Sequence, residues 1–223
     1  MNLPLWLIPA LPLGGFLVNG LVALAAGSRR AAKATAEWRA AHADLHGHGE
    51  HGDDAHGHDA HAHDDHGHRH AGPFLPYWER LLYGVVGVAS VGLAGLVAFA
   101  NVVPWAAASI ASEGGAAPVV QTAWKWMAAG HVSVDLAFRL DALSAMMVSF
   151  VTFVGLLIHV FSVGYMQDEE GYGRYFAYLN LFMFAMLTLI LADSLPVLFI
   201  GWEGVGLCSY LLIGYYYDKD FAH

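Results

Sequence analysis

Five long runs of apolar residues decide what this chain can fold into. They cover residues 3–26, 81–103, 142–166, 175–192 and 194–217. Each supplies roughly the 20 predominantly apolar residues that a helix needs to cross a hydrocarbon layer. The first four contain no Asp, Glu, Lys or Arg, and the fifth contains only Glu203. No water is available inside a bilayer for open backbone groups, so such runs must satisfy their own hydrogen bonds as helices. The expectation is an all-α membrane protein with about five transmembrane helices.

Charge placement supports that reading. Only 13% of the residues are charged, and they gather at the ends of the apolar runs. With the N-terminus outside, the cytoplasmic side receives Arg29, Arg30, Lys33, Arg39, Arg69, Arg80, Arg174 and Lys219. Only Lys125 and Arg139 then lie outside, which is the expected bias of basic residues toward the cytoplasm. The first run does not read as a cleaved leader, because it has no basic segment before it, it is too long and its positive charges follow it. A single cysteine, Cys208, excludes an intramolecular disulfide framework.

The chain divides accordingly. Residues 1–26 form the first span. Residues 27–79 form a cytoplasmic loop that begins as a short Ala-rich helical extension. Its middle, 42–70, repeats His and Asp from His42 to His70 with almost nothing to bury, and is expected to be disordered. Imidazole and carboxylate together bind divalent metal, but the loose spacing specifies no four-ligand cage. The loop is therefore read as a tolerated insertion with incidental metal affinity, with metal buffering or pH sensing as the alternative.

Residues 80–103 form the second span, opened by the interfacial aromatics Tyr77, Trp78 and Tyr83 and expected to stop near Pro104-Trp105. Gly84, Gly87, Gly92 and Gly95 allow neighbouring helices to come close. The outer loop, 104–140, contains an alternating stretch from His131 to Phe138 that predicts a short hairpin. His131 reads as a surface residue. Residues 141–193 hold the third and fourth spans. Asp141 can cap the third, and Ser194 or Asp193 the fifth. Residues 194–217 are the fifth span, and 218–223 a short cytoplasmic end. In the first span, the regular helix should firm up around Pro9 or Pro12, with Asn19 hydrogen-bonding to a neighbour.

Glu203 is the residue with chemistry. It lies about 13 Å into the fifth helix at ~1.5 Å per residue, near mid-bilayer depth. A carboxylate there costs roughly 2.5–3.5 kcal/mol or more, so its default reading is an ion or proton pathway rather than packing. At 100° per residue, Pro196, Phe199, Gly206, Tyr210 and Gly214 share its side, whereas Gly201, Gly204 and Cys208 form an opposite small-residue face. Tyr210 offers a hydroxyl as a hydrogen-bond partner. His159, about two turns from the end of the third span, is either a hydrogen-bonded structural histidine or a proton relay. No lysine occurs inside the spans, so a basic partner for Glu203 must come from elsewhere.

The runs FRLDALSAMM, VTFVGLLIHVFSVGYM, GYGRYFAYLNLFMFAMLTLILADSLPVLFIGWEGVGLCSYLLIGYYY and, at the start, LIPALPLGGFLVNGLV carry a resemblance. They resemble subunit L, or chain 5, of the proton-pumping NADH–quinone oxidoreductase, respiratory complex I. The resemblance implies an antiporter-like membrane subunit of a bacterial inner membrane, with other membrane-arm subunits and the lipid bilayer as partners and no nucleic acid. It also implies a proton-channel role for Glu203, paired with lysines on later helices. NADH, FMN, iron–sulfur clusters and quinone would sit on other subunits, leaving this chain without a cofactor or metal. Members of that family are several times longer and continue into inverted repeats. The chain is therefore expected to be an N-terminal fragment that does not pump alone. A subunit of a multisubunit cation/proton antiporter is the runner-up, and a divalent-metal-handling membrane protein the third reading.

Overall fold

The computed structural model describes residues 3–43, 75–112, 115–130, 132–169 and 171–216. The expected insertion at 42–70 lies outside these residues except for the backbone of its first two positions, and His131 lies outside them too. Among the described residues, five helices are long and apolar enough to cross a membrane. They are α1 (Leu7–Ala43), α2 (Tyr77–Ala111), α3 (Ala142–Tyr165), α4 (Tyr172–Leu191) and α5 (Leu195–Ile213), the last followed by a 3-10 turn, Gly214–Tyr216.

α4 is the hub. It packs against α1, α2, α3 and α5, while α2 packs between α1 and α3. Glycine makes these approaches possible. A Cβ on Gly87 would stand 2.5 Å from the Phe176 ring, and one on Gly155 would stand 2.6 Å from the Met183 sulfur. Two apolar clusters result. One joins Leu5, Ile8, Val91, Val148, Leu187 and Leu191 toward one end of the bundle. The other joins Tyr83, Met166, Tyr172, Phe176 and Tyr215 toward the opposite end.

α1 is regular from Leu7, earlier than expected, and Pro12 sits within it. Buried Leu5 and Ile8 anchor this end, and the Leu5 amide donates to Gln121 Oε1 at 2.8 Å. Likewise α2 does not stop at Pro104 but runs through it to Ala111. The missing N–H removes one intrahelical bond, a loss that membrane helices tolerate when neighbours hold the segment. Here the Trp105 indole N–H donates to Ala117 O at 3.1 Å.

The hairpin is longer than the alternating stretch suggested. β1 (Val119–Ala129) and β2 (Val132–Leu140) pair antiparallel from Val119↔Leu140 to Ala129↔Val132, with two irregularities in β1. Gly130 turns the chain with φ 59°, a conformation that favours glycine. β2 buries Phe138 and Leu140, and the Asp193 amide donates to Ala137 O at 3.1 Å. Arg139 adds ion pairs to Asp141 at 3.3 Å and to Asp193 at 3.5 Å. The hairpin thus holds the start of α3 beside the α4–α5 turn.

Asp141 caps α3 as expected, in a full capping box. Its Oδ1 accepts from the Ser144 amide at 3.0 Å, and Ser144 Oγ accepts from the Asp141 amide at 2.7 Å. α5 is different. Ser194 occupies its N-cap position and proline its first turn, but no side chain caps it. Asp193 is drawn to Arg139 instead, and Ser194 Oγ is buried without a partner.

Candidate functional site

α5 is organised by its small residues. A Cβ on Gly201 would stand 2.6 Å from the Leu189 backbone nitrogen, and one on Gly204 would stand 2.9 Å from Ala185 Cβ. Cys208, on the same stripe, is fully buried. Small side chains let two helix backbones approach closely without a large packing penalty. This face is therefore spent on α4, as the helical wheel predicted.

The opposite face remains open. Glu203 is exposed, with Phe199, Trp202 and Tyr210 exposed around it. Nothing stands within 4 Å of a Cβ on Gly206. Among the described residues, Glu203 makes no ion pair or hydrogen bond. Tyr210 shares its side but lies seven positions further along, two helical turns, and no hydrogen bond joins them. A carboxylate on a helix of this apolarity cannot face hydrocarbon cheaply. The geometry leaves both the space and the exposed surface for polar or cationic groups from another element.

His159 is placed elsewhere. It is fully buried in α3. Its Nδ1 lies 2.8 Å from Gly155 O, and a carbonyl can only accept, so Nδ1 carries the proton. Nε2 is then a bare acceptor, buried and without a partner among the described residues. Leaving such an acceptor unpaired costs about 1–3 kcal/mol. The imidazole meets the edge of Phe176 at a centroid distance of 6.2 Å. On α4, Phe176 lies about 180° around the helix from Ala185 at 100° per residue. The contacts on α3 and α5 therefore use opposite faces of α4, and Glu203 and His159 do not form one site.

The structure also assembles polar pairs within the bundle, of which sequence reasoning had singled out only Asn19. Ser90 Oγ donates to Asn180 Oδ1 at 2.7 Å inside the bundle. Asn19 Nδ2 reaches Tyr83 O at 3.3 Å, the helix–helix bond expected of it. Arg30 pairs with Glu79 at 2.6 Å where α1 and α2 meet. The available signal was weak, consisting of lone polar residues in or beside apolar runs. At Asp141, outside the spans, hydrogen bonding outweighs the opposing effect of burial. The Ser144 backbone N–H holds the Asp141 carboxyl below its usual range, with help from the Ser144 hydroxyl and Arg139.

Comparison with known proteins now adds what geometry alone leaves open. Residues 126–176 match the model of the NADH-ubiquinone oxidoreductase (complex I) chain 5 N-terminus. NADH-quinone oxidoreductase subunit L of Pseudomonas aeruginosa is 52% identical over 145 residues, covering 64% of this chain and 22% of that protein. Subunit L of Escherichia coli is 49% identical over 141 residues, 63% of this chain and 22% of that protein. The Mycobacterium tuberculosis subunit L is 48% identical over 102 residues, 46% of this chain and 16% of that protein. The chain is thus similar to complex I chain 5 proteins, with residues 126–176 matching their N-terminal region. In the first two chain 5 relatives the match spans about a fifth of their length. The family-model match runs from β1 into the first turns of α4. Glu203 lies beyond that match, so the chemistry assigned to it rests on its own position in α5.

Proposed function

We propose that this chain contributes to a membrane-arm subunit of a proton-pumping NADH–quinone oxidoreductase, with Glu203 as a carboxylate of its proton channel. The observation that carries the reading is the division of α5. Gly201, Gly204 and Cys208 are committed to α4, whereas the Glu203 side is left open. Burial raises a carboxyl pKa and a nearby ammonium lowers it. A lysine that approaches and retreats on that side would make Glu203 take up and release a proton. Electron transfer from NADH to quinone, and the cofactors it needs, would reside on other subunits. Residues 141–193 then form the N-terminal family region, and 194–217 begin the translocating domain.

The orientation follows from the basic residues, with the N-terminus outside a bacterial inner membrane. Other membrane-arm subunits are its partners. A cation/proton antiporter subunit would use the same glutamate, and co-purification with redox subunits separates the two. Within the complex, Glu203→Gln keeps shape and hydrogen bonding but abolishes ionisation. Assembly and NADH oxidation should persist while protons moved per NADH fall severalfold. Wild-type stoichiometry in an assembled Glu203→Gln enzyme refutes the proposal.

A further inference from the structure

Inside the bundle, on the face of α4 turned away from α5, two buried acceptors lack partners among the described residues: His159 Nε2 and Asn19 Oδ1. Helix contacts place them at one level. Val163 stands beside Gly84 and Leu156 beside Gly92, so α3 passes α2 with His159 opposite the intervening turn that contains Gly87. Gly87 packs on the Phe176 ring, and a Cβ on it would stand 3.3 Å from Asn180 Nδ2. On α1, Gly15 abuts Ser90 and Asn180, and Asn19, one turn on, reaches Tyr83 O. Both acceptors thus flank the level of Phe176, one from α3 and one from α1.

A donor stands at the same junction. Asn180 Nδ2 carries two hydrogens. One goes to Phe176 O at 2.9 Å, and Ser90 uses the amide oxygen rather than the nitrogen. The second N–H has no partner among the described residues. His159 itself is fully buried, so no side chain from another subunit can reach Nε2 without opening the bundle. A small molecule that donates hydrogen bonds, such as water, satisfies these constraints. Buried waters typically take two to four polar partners of this kind.

We propose that His159 Nε2 is the acceptor of a buried water site at the α2–α3–α4 junction, with the free Asn180 N–H as a neighbouring donor. A neutral imidazole nitrogen accepts a hydrogen bond from water. The site is therefore a hydrated polar position inside the bundle, separated from Glu203 by the body of α4. It does not depend on the role given to Glu203.

The test is an electron cryo-microscopy map of the full chain in its native membrane assembly, at a resolution that resolves internal waters. The expected result is a density peak within about 3.2 Å of Nε2. The peak should be lost in His159→Phe, which keeps a ring but presents no acceptor. Carbon-only surroundings at Nε2, a protein donor on it, or a peak that persists in His159→Phe would each overturn the proposal. If His159→Phe does not assemble, the wild-type map alone decides. Because the map reads occupancy rather than pumping, its outcome is independent of the Glu203→Gln result.

Discussion

Gly201 sits so close to Leu189 that a single added carbon would stand 2.6 Å from the Leu189 nitrogen and 2.7 Å from its Cα. The obstruction is helix backbone, which cannot swing aside as a side-chain tip can. Gly201→Ala should therefore push α5 off α4 and cost about 1–3 kcal/mol, the usual range for overpacking. Gly206→Ala, with nothing within 4 Å, should cost little in the same chain. Thermal melting of the two variants in detergent compares them directly. Equal melting temperatures would show that the α4–α5 contact is looser than described.

Arg30 and Glu79 are an unequal pair. The Glu79 side chain is 8% exposed and that of Arg30 is 45% exposed. Removing the arginine leaves a buried carboxylate without its partner, whereas removing the carboxylate's charge leaves an arginine that can turn to water. Arg30→Ala should thus cost on the order of 2 kcal/mol, and Glu79→Gln less. The double variant should recover part of the Arg30→Ala loss. Melting temperatures of the three variants read this ordering, and additive losses would contradict it.

Much of the fold was legible because hydrocarbon leaves few choices. Residues 142–166 had no charge and could only be a helix, and α3 has nearly those bounds. The small-residue face of α5 followed from helical geometry alone. Pro104 misled because a rule drawn from soluble helices makes proline a stop, whereas a span can continue when Trp105 and its neighbours hold it. The extent of β1 was not legible because the apolar pairs Ala123-Trp124 and Trp126-Met127 break the alternation where the strand is irregular. The separation of His159 from Glu203 was not legible at all. It depends on which face of α4 each neighbour takes, and that is settled by tertiary packing rather than by spacing along the chain.

Asp141 makes the start of α3 sensitive to acid. Its carboxyl pKa is lowered in the folded chain, first by the Ser144 backbone hydrogen bond. A depressed folded pKa contributes stability that is present above the ordinary carboxylate value of about 3.9. That contribution is lost as pH falls through the lowered folded value. Asp141→Asn keeps a capping oxygen but cannot titrate, so its melting temperature should vary less with pH between about 5 and 2 than that of the wild type. Parallel pH profiles for the two would remove Asp141 from the acid response.

Glu203 makes the sharpest demand on the reading of α5 as a span. Leu195 opens the helix and Ile213 closes it, so the glutamate lies near its middle, where acidic side chains are most costly to insert. Replacing it with leucine removes that cost and adds an apolar side chain. The apparent insertion free energy of the Leu195–Ile213 segment should improve by about 2.5–4 kcal/mol on the translocon scale. A glycosylation-mapping assay of the segment in microsomes measures this as the ratio of inserted to translocated product. A change under about 1 kcal/mol would mean that Glu203 sits near a helix end or at an interface. In that case α5 would not hold the carboxylate at channel depth, and its open side would need another explanation.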